Sequence, residues 1–412
     1  MRKDEVRTSG KLRDAGRNRP KLPIYLDYQA TTPVDPRVLA RMLPYFSEKF
    51  GNPGSATHAF GRAAEDACER ARGEVAALIG AEAREIVFTS GATEANNLAI
   101  KGLARFAGEG RRHIVTLATE HKCVLESCQA MAAEGFRLSV LPVERSGLLD
   151  LARLKEAMTD ETLLVSVMAV NNEIGVIQPL AEIGALCREH GVYFHTDAAQ
   201  AAGKIPLDVE AMAIDLMSIS GHKLYAPKGI GALYVRRRPR VRLAPLMSGG
   251  GQERGLRSGT LPAALCVAFG AACVLSAAEM GAEAERLAAL RERLRRGLAA
   301  RLPGLVVNGD LERRVAGNLN LAFPGVDAEE LMVQLKDVAV SSGSACTSAA
   351  IEPSYVLRAL GLDEGLARAS LRIGLGRFTG PAEIDYATDA IAAAVEALRR
   401  ATPPAESAAG RS

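Results

Sequence analysis

The sequence predicts an α/β fold, with a mostly parallel sheet covered on both faces by helices and a smaller α+β unit after it. Three observations carry this prediction. Short apolar, β-rich runs recur without strict polar alternation at Glu85-Ile86-Val87-Phe88, His113-Ile114-Val115-Thr116, Leu163-Leu164-Val165-Ser166-Val167, Tyr193-Phe194-His195 and Leu216-Met217-Ser218-Ile219. Stretches rich in Ala, Leu, Glu and Arg separate them, and strands buried on both faces with helical crossovers between them build parallel sheets. Residues 265–302 are nearly all Ala, Leu, Glu and Arg and read as one long helix that leaves the first unit, stopped by Pro303-Gly304.

In chain order, residues 1–21 hold eight Lys/Arg against Asp4, Glu5 and Asp14 and few apolar side chains, the pattern of a disordered basic arm. Acidic residues among the basic ones argue against a transit peptide, and no hydrophobic stretch of signal-peptide type is present. Residues 22–264 form the large unit, with part of its N-terminal segment expected to pack on the small one, and close on a strand over residues 230–235. Residues 265–400 form the small one: the long helix, the strand Asn318-Leu319-Asn320-Leu321-Ala322-Phe323, a helix over 328–336, a Ser/Gly/Ala loop and a last helix over 381–400. The tail 401–412, with Pro403-Pro404, shows no packing pattern.

At 412 residues and 48% hydrophobic composition the chain can bury a large core, while Lys+Arg 51 against Asp+Glu 48 leaves no global field to attract nucleic acid or a membrane surface. No apolar run of about 18 residues stands out as a membrane span. The seven cysteines are scattered, odd in number and without metal-ligand spacing, which argues against a disulfide framework or a metal site and fits a reducing cytoplasm.

Four segments carry candidate chemistry. In Phe88-Thr89-Ser90-Gly91-Ala92-Thr93-Glu94-Ala95-Asn96-Asn97 a strand runs through a Gly turn into a helix, whose unpaired N–H groups can cradle a phosphate with Ala92 and Thr93 at the first turn. Ordinary capping would leave the same pattern. In His195-Thr196-Asp197-Ala198-Ala199-Gln200 an acid follows an apolar strand, where open α/β sheets place ligands, and a pyridoxal cofactor would need a carboxylate there to keep its ring nitrogen protonated. A helix-capping Asp is the alternative. Ser218-Ile219-Ser220-Gly221-His222-Lys223-Leu224-Tyr225-Ala226-Pro227-Lys228-Gly229 puts Lys223 at a strand end beside other cations, as a Schiff-base lysine requires. In Ser341-Ser342-Gly343-Ser344-Ala345-Cys346-Thr347-Ser348-Ala349-Ala350 a single thiol sits among residues of minimal bulk, suited to a nucleophile that must travel. Cys68, Cys187, Cys266 and Cys273 instead fit helical core positions.

Taken together these segments resemble the fold-type I pyridoxal-phosphate enzymes, and within them the group-I cysteine desulfurases of the IscS/NifS type. The likeness runs from Tyr25-Leu26-Asp27-Tyr28-Gln29-Ala30-Thr31-Thr32-Pro33 to Leu371-Arg372-Ile373-Gly374-Leu375-Gly376-Arg377-Phe378. Residues 341–362 are the most specific stretch and look like the long mobile loop of group I. The resemblance implies a seven-stranded, mostly parallel sheet and pyridoxal 5'-phosphate as cofactor. It implies that Lys223 holds the cofactor covalently, that Asp197 faces the ring nitrogen, that Gln200 bonds the ring hydroxyl oxygen and that His121, in Thr119-Glu120-His121-Lys122, stacks on the ring and moves protons. Ala92, Thr93, Ser220 and His222 would bind the phosphate, joined by Thr260 of Arg257-Ser258-Gly259-Thr260 reaching across a homodimer. Arg372 would clamp the substrate carboxylate as a bidentate fork, with Asn172 assisting near the cofactor and contacting both cofactor and substrate.

The activity implied is conversion of L-cysteine to L-alanine with sulfur passed to a Cys346 persulfide, His121 accepting the Cys346 proton, for iron–sulfur cluster assembly and tRNA thiolation in the cytoplasm. An aminotransferase has no need of a mobile thiol, whereas a selenocysteine lyase could use the same site; a silent binding protein would not need Lys223, Asp197, His121 and Arg372 together. The sequence departs from the family at the basic arm, at Ala199 where Thr is common, and at the tail, which lacks the acidic, aromatic, His-ending extension that family members use to grip a scaffold protein. The resemblance therefore does not specify which acceptor takes the sulfur.

Overall fold

The computed structural model describes residues 20–343 and 353–401. The expected arm, the tail and the Cys346 loop fall largely outside these residues. Twelve strands occur among them: β1 (Ile24–Tyr25), β2 (Ile86–Thr89), β3 (His113–Leu117), β4 (Arg137–Leu141), β5 (Thr162–Ser166), β6 (Tyr193–Asp197), β7 (Leu216–Ser220), β8 (Gly231–Val235), β9 (Val306–Val307), β10 (Asn318–Ala322), β11 (Val338–Ala339) and β12 (Ser370–Gly374).

Seven of these form one sheet in the order β2-β8-β7-β6-β5-β3-β4. Only β8 runs against its neighbours, pairing antiparallel with both β2 and β7. The other six strands therefore point the same way, and the carboxyl ends of β2, β7, β6, β5 and β3 share one rim. Every residue of β2, β3, β5, β7 and β8 is buried, which is why those runs read as continuously apolar rather than alternating. β4 is the exception. It lies at the sheet edge and its residues are half-buried or exposed, so it lacks the apolar signature by which the other strands announce themselves.

A second sheet, β12-β10-β9, is antiparallel, and β1 pairs in parallel with β11. The helix Ala263–Arg301 belongs to two apolar cores in turn. Cys266, Phe269, Ala272 and Cys273 pack into the core beneath the large sheet, and Leu287, Leu290, Leu294 and Leu298 into the core of the second sheet. It is the one described helix long and apolar enough to cross a membrane, and 61% of its apolar window is buried inside the protein, where it acts as a core helix; the sequence reading passed over this stretch. Ile24 and Leu26 also belong to the second core, and Asp27 bridges to Gly374. The strand β1 is thus anchored in the second core, and the segment after it is delivered to the rim of the large sheet.

Candidate active site

At that shared rim lies a cavity of about 400 Å³, lined by Ala92, Thr93, His121, Asn172, Asp197, Gln200, Ser220, His222, Lys223 and Arg372 among others. Ten of the residues singled out from the sequence thus meet in one place. Two do not. Thr260 is exposed and is not among the lining residues, and Cys346 lies outside the described residues.

One wall is a helix start. Gly91, at φ +152°, turns β2 into the helix Ala92–Ala107 without a side-chain cap of its own. A side chain there would be strained by that φ, and a Cβ on Gly231 would come within 2.7 Å of the Gly91 Cα, so the turn stays tight against β8. The first-turn N–H groups are left to the cavity. Glu94 does not compete for the opening: it is turned back, accepting from the Ser90 N–H at 2.7 Å and from Arg257 Nε at 2.8 Å. Facing this wall, His222 has its Nδ1 3.0 Å from the Thr31 hydroxyl. Burial, followed by the nearby Lys223, Lys228 and Lys204 cations, pulls its pKa down to about 4, so the ring is neutral.

The floor is built on β6. Asp197 ends the strand, accepting 2.7 Å from Asn96 Nδ2 and 2.9 Å from the Ala199 N–H. Asn96 also reaches the Cys123 sulfur at 3.1 Å, and that sulfur lies 3.0 Å from His121 Nδ1. Asn96 and Cys123 escaped the sequence reading. A signal for the first existed: Asn96 is a fully buried polar residue on the helix face that also carries Ala99, Ile100 and Leu103. For Cys123 no signal separates it from an ordinary core cysteine. Burial, then the Asp197 charge, pushes its thiol up to about 12, so it is a neutral thiol.

Lys223 lies on a short turn after β7 and donates to the Gln29 and Ala30 carbonyl oxygens. Gln200 donates to the same Gln29 oxygen at 2.9 Å and accepts from Lys204 Nζ at 2.9 Å. Burial, then the Lys223 charge, lowers Lys204 to about 7.

The remaining wall comes from the second sheet. Arg372 on β12 is buried, with Nη2 2.8 Å from Asp27 Oδ1 and Nη1 3.1 Å from the Asn172 carbonyl oxygen. Its Nε and the Asn172 Oδ1 are buried with no partner, an uncommon arrangement that calls for a ligand. The described residues flanking 344–352 meet this wall: Ser341 exchanges backbone hydrogen bonds with Arg372, and the Ser354 hydroxyl donates to Glu173 Oε2 at 2.5 Å.

An aminotransferase class-V family model matches residues 24–386. The chain belongs to that family. Among its class-V relatives, cysteine desulfurase IscS of Rickettsia typhi is 58% identical over 93% of this chain and 93% of its own length. The cysteine desulfurase of Mus musculus is 60% identical over 92% of this chain and 83% of its own. Among solved structures, a NifS-like protein superposes with a TM-score of 0.85 at 35% identity, covering 91% of this chain and all of that one. The class-V fold thus agrees with the mostly parallel seven-stranded sheet expected from the sequence.

Proposed function

We propose that this class-V protein is a pyridoxal-phosphate-dependent cysteine desulfurase, converting L-cysteine to L-alanine and passing the sulfur to Cys346. The observation that carries the reading is the convergence of Lys223, Asp197 and Arg372 on one cavity at the carboxyl rim of the sheet.

The donor set fits the cofactor. A phosphate suits the open helix start at Gly91-Ala92-Thr93, supplemented by the Ser220 hydroxyl and the neutral His222 ring. Asp197 supplies the carboxylate for a protonated ring nitrogen, Gln200 a donor for the ring hydroxyl oxygen, and Lys223 the amine that forms the covalent link. The bound group supplies an electron sink for the bond-breaking at the substrate α-carbon. Thr260, exposed on its own subunit, reaches the phosphate of the partner subunit's site in a homodimer.

The chain's own residues do the rest. Arg372 receives the cysteine carboxylate, its unpaired Nε marking the spot, Asn172 assists beside it through its amide N–H groups, and Asp27 holds the guanidinium in place. With its amine free, Lys223 would be the base that removes the substrate α-proton. The Cys346 thiolate then attacks the substrate sulfur: an S–S bond forms, the substrate C–S bond breaks, and the three-carbon remainder is reprotonated and released as alanine. His121 serves the proton transfers on the cavity side. The persulfide supplies iron–sulfur cluster assembly and tRNA thiolation through acceptor proteins in the cytoplasm.

The test is alanine and sulfide release from L-cysteine with a thiol reductant, comparing the natural protein with Cys346→Ala while recording the visible absorbance of the cofactor. A variant that retains the absorbance and loses turnover supports the reading. Persistent turnover sinks the assignment of Cys346, and a natural protein that releases no alanine sinks the activity itself.

A further inference from the structure

His121 caps the helix Lys122–Ala133, its Nδ1 accepting the Cys123 backbone N–H at 3.2 Å. A backbone N–H can only donate, so the Nδ1 lone pair must point at it, and a neutral ring then has its single hydrogen on the other nitrogen. A second donor stands beside the first. The Cys123 sulfur, 3.0 Å from the same Nδ1, itself accepts from Asn96 Nδ2, whose other hydrogen goes to Asp197. Since Nδ1 is already an acceptor, the thiol can bond it only by turning its own hydrogen toward it.

We propose that Cys123 is a positioning residue that fixes the neutral imidazole of His121 as the Nε2–H tautomer, so that His121 gives a proton to the cavity before it can take one. The line of contacts Asp197–Asn96–Cys123–His121 ties the carboxylate on the cavity floor to this choice of tautomer. Protonating Nδ1 would set an N–H against the Cys123 N–H and break the helix cap. The charged groups that face the ring act alongside burial: Lys223 and Lys122 disfavour the cation, and Asp197 favours it. Cys346 can therefore pass its thiol proton to His121 only after the Nε2 proton has left, which revises the simple acceptor role implied by the resemblance. What the proton is used for rests on the proposed function; the tautomer does not.

The experiment is 15N NMR of the full-length holoenzyme labelled at histidine, with the His121 signals assigned by their loss in His121→Gln. At pH 8 the expected result is an unprotonated-type shift at Nδ1 and a protonated-type shift at Nε2; the reverse pattern overturns the proposal. Because it is read in the resting protein, this result is independent of whether alanine is released, so failure here and failure of the desulfurase reading are separate outcomes. The thiol's share is read in Cys123→Ala and Cys123→Ser. Loss of the thiol in Ala lowers kcat about tenfold with KM unchanged and moves the pH profile, while Ser, which keeps a donor, restores both. If Ala matches the natural protein in shifts and profile, the positioning role of the thiol is overturned.

Discussion

The interior of the large sheet and its carboxyl rim carry histidines on or beside the same set of strands, with opposite outcomes. His195, in mid-strand on β6, places Nδ1 2.8 Å from Ser166 and Nε2 3.1 Å from Ser218; it is a rung across three strands with both ring nitrogens satisfied. His113 does the same between Thr162 and Ser139. His121, past the end of β3, has its Nδ1 engaged by the helix it caps and its other edge left to the cavity. Burial holds all three below the ordinary histidine range. Burial and a displaced pKa therefore do not distinguish a structural imidazole from the one proposed to move protons. What distinguishes them is whether both ring nitrogens are held by protein partners or one edge of the ring is turned to the cavity, which His121 lines together with Arg372 and Asn172.

Changes at the rim should cost activity and spare stability, and changes in the interior should do the reverse. The largest effect is expected for Lys223→Ala, with alanine release falling by about three orders of magnitude or more and the thermal midpoint scarcely moving. A preserved rate would remove Lys223 from the chemistry. His121→Gln is expected to lower kcat by about a hundredfold, whereas His195→Ala should leave kcat per folded molecule within about twofold and destabilise the fold by about 3 kcal/mol, because two buried hydroxyls lose their partner. Denaturant titration of both variants beside their kinetics checks the pair, and equal stability losses would break the comparison.

Arg372→Lys tests a residue with a foot in each class, since it binds protein groups and offers Nε to a ligand. We expect KM for cysteine to rise about tenfold with a smaller fall in stability, measurable by steady-state kinetics and thermal unfolding. The smallest effect is in pH. His113 and His195 have folded values pulled to about 4 and about 3, so below about 6.5 the unfolded chain binds protons that the folded one refuses. The stability these neutral rings confer is complete above that pH and is lost as the pH falls through the window toward 4 and 3. His195→Gln, which cannot titrate, should flatten the pH dependence of the denaturant midpoint between 6.5 and 4; an unchanged slope would assign the acid sensitivity elsewhere.

The buried strands, the long helix and the four chemical segments could all be read from the sequence because each is a local pattern: continuous apolar runs, Ala/Leu/Glu/Arg periodicity, a Gly turn before a helix, a Lys after a strand. The edge strand β4 could not, because an edge buries too little to leave a signature. Nor could Asn96 or Cys123 be given a role, since the line of contacts that joins them to the cavity floor closes through partners distant in sequence: Asn96 reaches Asp197, 101 residues away, and the Cys123 sulfur, beside its near neighbour His121, reaches Asn96, 27 residues away. The sequence by itself determined the fold class, the family resemblance and ten residues that line one cavity. Only the tertiary structure decided how those residues are held. The parallel arrangement of five strand ends, the anchoring of Asp27 beside Arg372 and the pairing of each ring nitrogen depend on where distant segments meet, and that is set by packing rather than by any local run of residues.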